Sequence, residues 1–208
     1  MTNICDMRSV HDQIAACTKC VAFRKFGYWK FPPGVHGNPG SKVWIVGADP
    51  RRIDDALRKD QRPQYWMGAS RRNSRDPIER RFGRLLEKLV YLTDAVKCQR
   101  PGSAIPLEAI RNCPSTWLCT EISTLRPLAI LALGDDAAVA LNDCEKDLTR
   151  CGTKVVLMPH PSPANGAKIA SQYGAQGWEA YKAELVRTFE GWRHLLPKKA
   201  HGNGAARG

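Results

Sequence analysis

The sequence predicts an α/β protein, a three-layer α/β/α sandwich around a central, mainly four-stranded parallel sheet. Three observations predict it. Residues 43–47, 90–96, 128–133 and 154–158 are nearly continuous apolar runs, VWIVG, VYLTDAV, LAILAL and KVVLM. Such runs suit strands buried on both faces, where alternation would mark a half-exposed sheet. Segments of helical period lie between them, so each pair of strands reads as joined by a covering crossover. Right-handed crossovers then place helices on both faces.

The elements follow in order. Residues 9–16 read as a helix with Ser9 as its N-cap, and the Gly and Pro content of 23–39 marks a loop before the first strand. Residues 53–59 form a short helical stretch, and Ile78, Phe82, Leu85, Leu86 and Leu89 space a helix over 78–90. After the second strand, Pro106 opens a helix to Leu125, in the first turn where a missing N–H costs nothing, and Arg126-Pro127 stops it. Residues 137–141 continue as helix after Gly134, and 178–192 close the domain as another. One domain over 1–196 is predicted, with residues 197–208 a basic, Gly-rich tail expected to be disordered.

The carboxyl ends of parallel strands share one rim, where open α/β sheets place their chemistry. Three polar residues fall there: Asp49 after the first run, Asp94 at the end of the second, and His160 in the Pro159-His160-Pro161-Ser162-Pro163 segment after the fourth. The sequence therefore predicts a site with an acid, a second polar reader and an imidazole.

Composition bounds the function. At 208 residues the chain buries roughly 70% of the surface its unfolded form exposes, so no disulfide staple is required. A net charge of +12 points to a polyanionic partner, because excess Lys and Arg set up a field that attracts phosphates. The first ten residues have no apolar core, and no run approaches the roughly 20 apolar residues of a membrane helix. The expectation is a cytoplasmic protein with no membrane partner, acting as a monomer.

Eight cysteines without an export signal favour metal ligands or buried thiols over disulfides. Cys17 and Cys20 form a C-x2-C pair, and Cys98 and Cys113 bracket a turn-rich segment. Four thiolates suit either a [4Fe–4S] cluster or a structural zinc, and spacing does not separate the two. Cys5, Cys119, Cys144 and Cys151 are expected as buried thiols.

Several motifs carry a resemblance. Gly47-Ala48-Asp49-Pro50 and His160-Pro161-Ser162-Pro163 are similar to the two signature motifs of the uracil-DNA glycosylase superfamily, whose members remove a damaged base from DNA. Cys17-x2-Cys20, Gly37-Asn38-Pro39, the run from Thr93 to Cys98, Cys113, Arg126-Pro127 and Ala132-Leu133-Gly134 resemble its iron–sulfur branch, often called family 4. Together they span roughly residues 10–190 in matching order. The resemblance implies that Cys17, Cys20, Cys98 and Cys113 hold a structural [4Fe–4S] cluster, with zinc the alternative. It also implies that Trp66, with Tyr65 its neighbour, is the plate on which a flipped base stacks.

Physical chemistry assigns the roles. Breaking a C1′–N bond builds positive charge on the sugar, which the Asp49 carboxylate stabilises while orienting water, and negative charge on the base, which a donating His160 stabilises. A base within a duplex has to be flipped out first. Gly47 and Ala48 would line the base pocket with Trp66 and Asp94. Arg51, Arg71, Arg72 and Arg75, with Ser162, Ala164 and Asn165 of the His160 loop, would contact DNA, the arginines giving salt-sensitive binding with little sequence information.

The chain also departs from the pattern. The iron–sulfur branch usually carries Gly-Glu-x-Pro-Gly where Gly47-Ala48-Asp49-Pro50-Arg51 stands, and the Asp49 form is closer to the single-domain uracil enzymes, which place Tyr where Arg51 stands. Relatives place Asn where Asp94 stands; an amide both donates and accepts, whereas an ionised carboxylate only accepts. Either Asp94 is protonated, or the pocket takes another base such as cytosine or hypoxanthine, or Asp94 turns away. Residues 68–81 read as a basic insertion. The usual intercalating Leu after the His160 motif is replaced by Ala164-Asn165, leaving Ile169 or Tyr173 as candidate wedges. The expected function is a monofunctional DNA glycosylase acting on uracil or a related deaminated base. The alternatives are a catalytically weak binder of abasic or damaged DNA and a zinc-stabilised nucleotide hydrolase.

Overall fold

The computed structural model describes residues 4–20, 37–49, 70–98, 105 and 107–198, with the side chains of 4–8 and of Arg71 excepted. The predicted helix at 53–59, Arg51, Tyr65, Trp66 and most of the tail lie outside the described residues.

Four parallel strands form one sheet: β1 (Val43–Gly47), β2 (Tyr91–Asp94), β3 (Ala129–Leu133) and β4 (Lys154–Met158), in the order β2-β1-β3-β4. Chain order and spatial order reverse between β1 and β3, so the crevice beside the end of β1 is the topological switch point where such sheets bind ligands. Gly47 is the register partner of Asp94, and Leu133 that of Met158. All four strands therefore end on one rim.

Alternate residues of each strand supply two cores. Trp44, Val46, Tyr91, Ile130 and Ala132 face α1 (Ile4–Ala16), α5 (Cys119–Leu125), α6 (Asp135–Asn142) and α7 (Glu145–Cys151). Ile45, Leu92, Leu131 and Leu133 face α2 (Asp76–Phe82), α3 (Leu86–Leu89), α8 (Gly166–Tyr173) and α9 (Gly177–Gly191). The remaining described helix, α4 (Leu107–Cys113), leads into α5 through a π-helical turn, Pro114–Leu118. This is the predicted three-layer sandwich.

Boundaries differ where local chemistry overrides pattern. Helix α1 begins at Ile4, so Ser9 is internal and accepts from Gln13 instead of capping. The helix predicted over 78–90 is two: Gly83 adopts φ +59 and closes α2 through its amide to the Glu79 carbonyl, and α3 starts afresh at Leu86. Arg126, at φ 52, ends α5 where Pro127 forbids continuation. Helix α7 was not predicted.

Cys119 and Cys144 are joined in a disulfide, with Cα atoms 5.0 Å apart. This corrects the expectation of buried thiols: the start of α5 and the residue before α7 are packed together in one core, which brings the two Cβ atoms within bridging range. Cys151 is a free, half-buried thiol.

Candidate active site

Two residues beyond the last register pairs stand Asp49 and His160, and Asp94 is itself the last residue of β2. The loops after β1 and β2 stay paired past the sheet, because Ala95 donates its amide to the Gly47 carbonyl and Val96 to that of Ala48, both at 2.9 Å. Gly47 and Ala48 therefore run directly beside Asp94. A Cβ built on Gly47 would fall 2.4 Å from Asp94 Oδ1, so only glycine admits this carboxylate at the floor of the rim. Asp94 is 5% exposed and Asp49 is half-buried. Both side chains have other interactions, but the Oδ2 atom of each is buried and accepts no hydrogen bond from the described protein.

His160 is reached from the other side of the switch point. Gly134, immediately after β3, has φ +92 and donates its amide to the Met158 carbonyl at 2.8 Å. A Cβ there would lie 3.2 Å from His160 Cβ. Glycine thus serves twice, supplying a conformation that L residues rarely adopt and space for the histidine. The loop is then pinned at successive backbone atoms. Tyr181 donates to the Pro159 carbonyl (3.0 Å), Asn165 Nδ2 to the His160 carbonyl (3.1 Å) and to Ser162 Oγ (3.1 Å), and Asn73 to the Pro161 carbonyl (3.4 Å).

The Ser162 amide donates to His160 Nδ1 at 3.2 Å. A ring nitrogen that accepts carries no proton, so the imidazole is neutral and its single N–H is on Nε2. The ring is therefore set as a donor through Nε2.

The predicted DNA contacts divide. Arg72 is exposed, as is Ala164 with its neighbour Pro163 at the loop tip. Of residues 68–81, expected as a basic insertion, those described are helical: a π-helical turn, Arg71–Arg75, runs into α2. Arg75 points inward, donating to Glu79 and Glu87 at 2.7 Å with its side chain 12% exposed. It braces α2 against α3. Asn165 likewise spends its amide on the loop. Of the two candidate wedges, Ile169 is fully buried, whereas Tyr173 is half-buried and packs edge-on against Tyr181 with centroids 5.6 Å apart.

The cysteines gather at the far end of α4. Cys113 is buried against Val96 and Ala109, with Cys20 and Cys98 packed on the same small cluster. Trp117 Nε1 donates to Cys17 Sγ at 3.4 Å. Burial pushes the Cys113 thiol up to about 12, helped by Cys98 and Cys20, while Lys97 opposes the shift. Burial likewise raises Cys20, with Glu108 and Cys17 adding to it. Among the described residues no group of three or more His, Cys, Asp or Glu side chains is arranged to hold a metal ion. The donor set is nonetheless all thiol, half-buried or buried, as a thiolate-ligated centre requires.

Residues 35–182 match the Uracil DNA glycosylase superfamily. The chain belongs to that superfamily. Over 182 residues it is 28% identical to the type-5 uracil-DNA glycosylase of Pyrobaculum aerophilum, covering 73% of this chain and 79% of that protein. It is 27% identical to the type-4 uracil-DNA glycosylase of Sulfurisphaera tokodaii over 62% of this chain and 54% of that protein. The type-4 enzyme of Pyrobaculum aerophilum is 28% identical over 65% of this chain and 64% of its own length. As a member of the superfamily the protein is a DNA glycosylase whose substrate is DNA. No described helix is long and apolar enough to cross a membrane.

Sequence reasoning missed two residues that pin the His160 loop: Asn73 and Tyr181 lie in none of the motifs. Lys97 lies within the Thr93-to-Cys98 run without an assigned role, and Glu121 shows only as a charge in apolar surroundings; that the two form a buried pair is visible once the fold is known.

Proposed function

We propose that the protein hydrolyses the N-glycosidic bond of uracil, or of a related deaminated base, in DNA and leaves an abasic site. The observation that carries this reading is the His160 ring, whose Nδ1 accepts from the Ser162 amide, standing on the rim that also bears Asp49 and Asp94. As the C1′–N1 bond breaks, its electron pair passes to the base, and charge spreads onto O2, where the Nε2–H donates. An Nε2–H donor meets charge that grows only as the bond breaks, so its benefit is greatest in the transition state. Asp49 stabilises the positive sugar and orients the water that adds to C1′, whose proton leaves through that carboxylate to solvent. The reaction would be monofunctional, ending at base release. Trp66 would stack the flipped base.

Asp94 sets the base. Held beside Gly47 with its carboxyl buried, it suits uracil O4 when protonated and the cytosine amino group when ionised. The remaining motifs favour uracil. Arg51, Arg71 and Arg72, with Ser162 and Ala164, would contact DNA.

Cys17, Cys20, Cys98 and Cys113 would hold a [4Fe–4S] cluster, which would tie α4 to the chain before β1. The all-thiol set and the resemblance to the iron–sulfur branch support iron over zinc. When bound, such a centre supplies charge that draws off the thiol protons and cross-links distant segments. Purified protein is expected to be brown, with about four irons per chain.

The reading is tested by incubating the protein with single-stranded and duplex oligonucleotides carrying one uracil, hypoxanthine or mispaired cytosine, followed by alkaline cleavage. Uracil-dependent cleavage is the expected result. Binding without release of any base would replace it with recognition of damaged DNA.

A further inference from the structure

We propose that Lys97 and Glu121 are positioning residues that fix the base-reading end of β2 through the backbone of Asp94. The inference rests on the reading of the rim as the glycosylase site. Past the last register pair, Gly47 with Asp94, only the Ala95 and Val96 amides continue the pairing, and neither touches the Asp94 carbonyl. At that point the Lys97 ammonium reaches back and donates to the Asp94 carbonyl at 2.6 Å. Its other two protons go to Thr93 Oγ1 at 2.7 Å and Glu121 Oε2 at 2.5 Å. All three N–H groups of the ammonium are thereby used.

Glu121, on α5 beneath the sheet, is equally satisfied. Oε1 accepts from the Tyr91 hydroxyl at 3.0 Å and Oε2 from Thr93 Oγ1 at 3.0 Å. His11 Nε2 then donates to the Tyr91 oxygen at 3.2 Å, since the tyrosine proton is committed to Glu121. Lys97 is 4% exposed and Glu121 fully buried. A pair this deep is a weak source of stability, because desolvation offsets the attraction and apolar replacements of similar volume are often as stable. What an apolar pair could not supply is a charged donor on the Asp94 carbonyl.

The same residue is tied in the opposite direction, since the Lys97 amide donates to Cys113 Sγ at 3.2 Å. Backbone and side chain together leave residues 94–97 a single course. The Asp94 carboxyl, whose Oδ1 has only the space a missing Gly47 Cβ provides, is thus held in place from behind. Binding of DNA rests mainly on phosphate contacts, so this network should govern reading and turnover more than affinity.

The test uses the full chain. Lys97→Met with Glu121→Leu removes both charges at once, and Thr93→Val removes one link without stranding a charge. Excision rate under single-turnover conditions, KM for a single-stranded uracil oligonucleotide, the uracil-to-cytosine rate ratio, Tm and iron content are measured against wild type. The expected result is a folded double variant with wild-type iron content and KM within about threefold. Its rate should fall by roughly tenfold or more and its base ratio should shift, as displacement of a positioned group predicts, with Thr93→Val intermediate. Wild-type release matched in rate and base ratio by the double variant would overturn the positioning role alone. A rate loss that only tracks lost folded protein would overturn it too. No release by wild type would overturn the glycosylase reading and this inference with it.

Discussion

Gly47, the last residue of β1, faces Asp94, the last residue of β2, so closely that a Cβ on the glycine would lie 2.4 Å from Asp94 Oδ1. Gly47 lies within an ordinary strand, so its lack of a side chain serves space and not backbone conformation. Gly47→Ala should therefore displace the Asp94 carboxyl while leaving β1 intact. The expected outcome is a folded protein with Tm within a few degrees of wild type and excision reduced on the order of 100-fold, as a misplacement of about 1 Å costs. Paired thermal melts and single-turnover assays check both halves.

Asn165 shows how the second signature segment is held. Its amide bridges the His160 carbonyl and Ser162 Oγ, and the Ser162 amide in turn fixes the His160 tautomer. Asn165→Ala should lower kcat about tenfold, the scale of an oxyanion donor only partly misaligned, with KM for DNA nearly unchanged. Equal loss in KM and none in kcat would mean that the side chain touches DNA.

The basic segment before β2 separates two kinds of arginine. Arg75 is locked between Glu79 and Glu87, whereas Arg72 is exposed. Arg72→Ala should weaken binding of all sequences alike and reduce the slope of log K against log salt by about one. Arg75→Ala should leave that slope unchanged and lower Tm, because it removes the cation that Glu79 and Glu87 share between α2 and α3.

His11 supplies a pH signature for the network under the sheet. Burial lowers its pKa below the ordinary 6.5; Glu121 and Asp12 pull it upward and Lys97 adds to the lowering. The unfolded chain thus takes up this proton at a higher pH than the folded one. Stability from His11 is present above pH 6.5 and is lost as pH falls toward its folded pKa. Titration of the His11 ring by NMR should give a midpoint below 6.5, and His11→Gln should flatten the acid side of the stability profile.

Much of this was legible in the chain because each signal was local. β4 was read at its observed limits since an apolar run is bounded by Gly152 before it and Pro159 after it. The rim residues followed from parallel topology, which needs no side-chain detail. The failures share a cause. Gly83 in the left-handed region broke a segment whose apolar period suggested one helix, and packing of α5 against α7 brought Cys119 to Cys144. Lys97 and Glu121 lie on separate elements and meet only across the folded sheet. Ile169 looked available because nothing local shows that α8 turns it into the core.

The central claim is that Asp49 and His160 perform base release at this rim. The most direct measurement is single-turnover release of uracil from a single-stranded oligonucleotide by wild type and Asp49→Asn, with binding of an uncleavable analogue measured alongside. The account predicts release by wild type, a loss on the order of 100-fold or more in the variant, and binding within about twofold. Equal release by both proteins would contradict it.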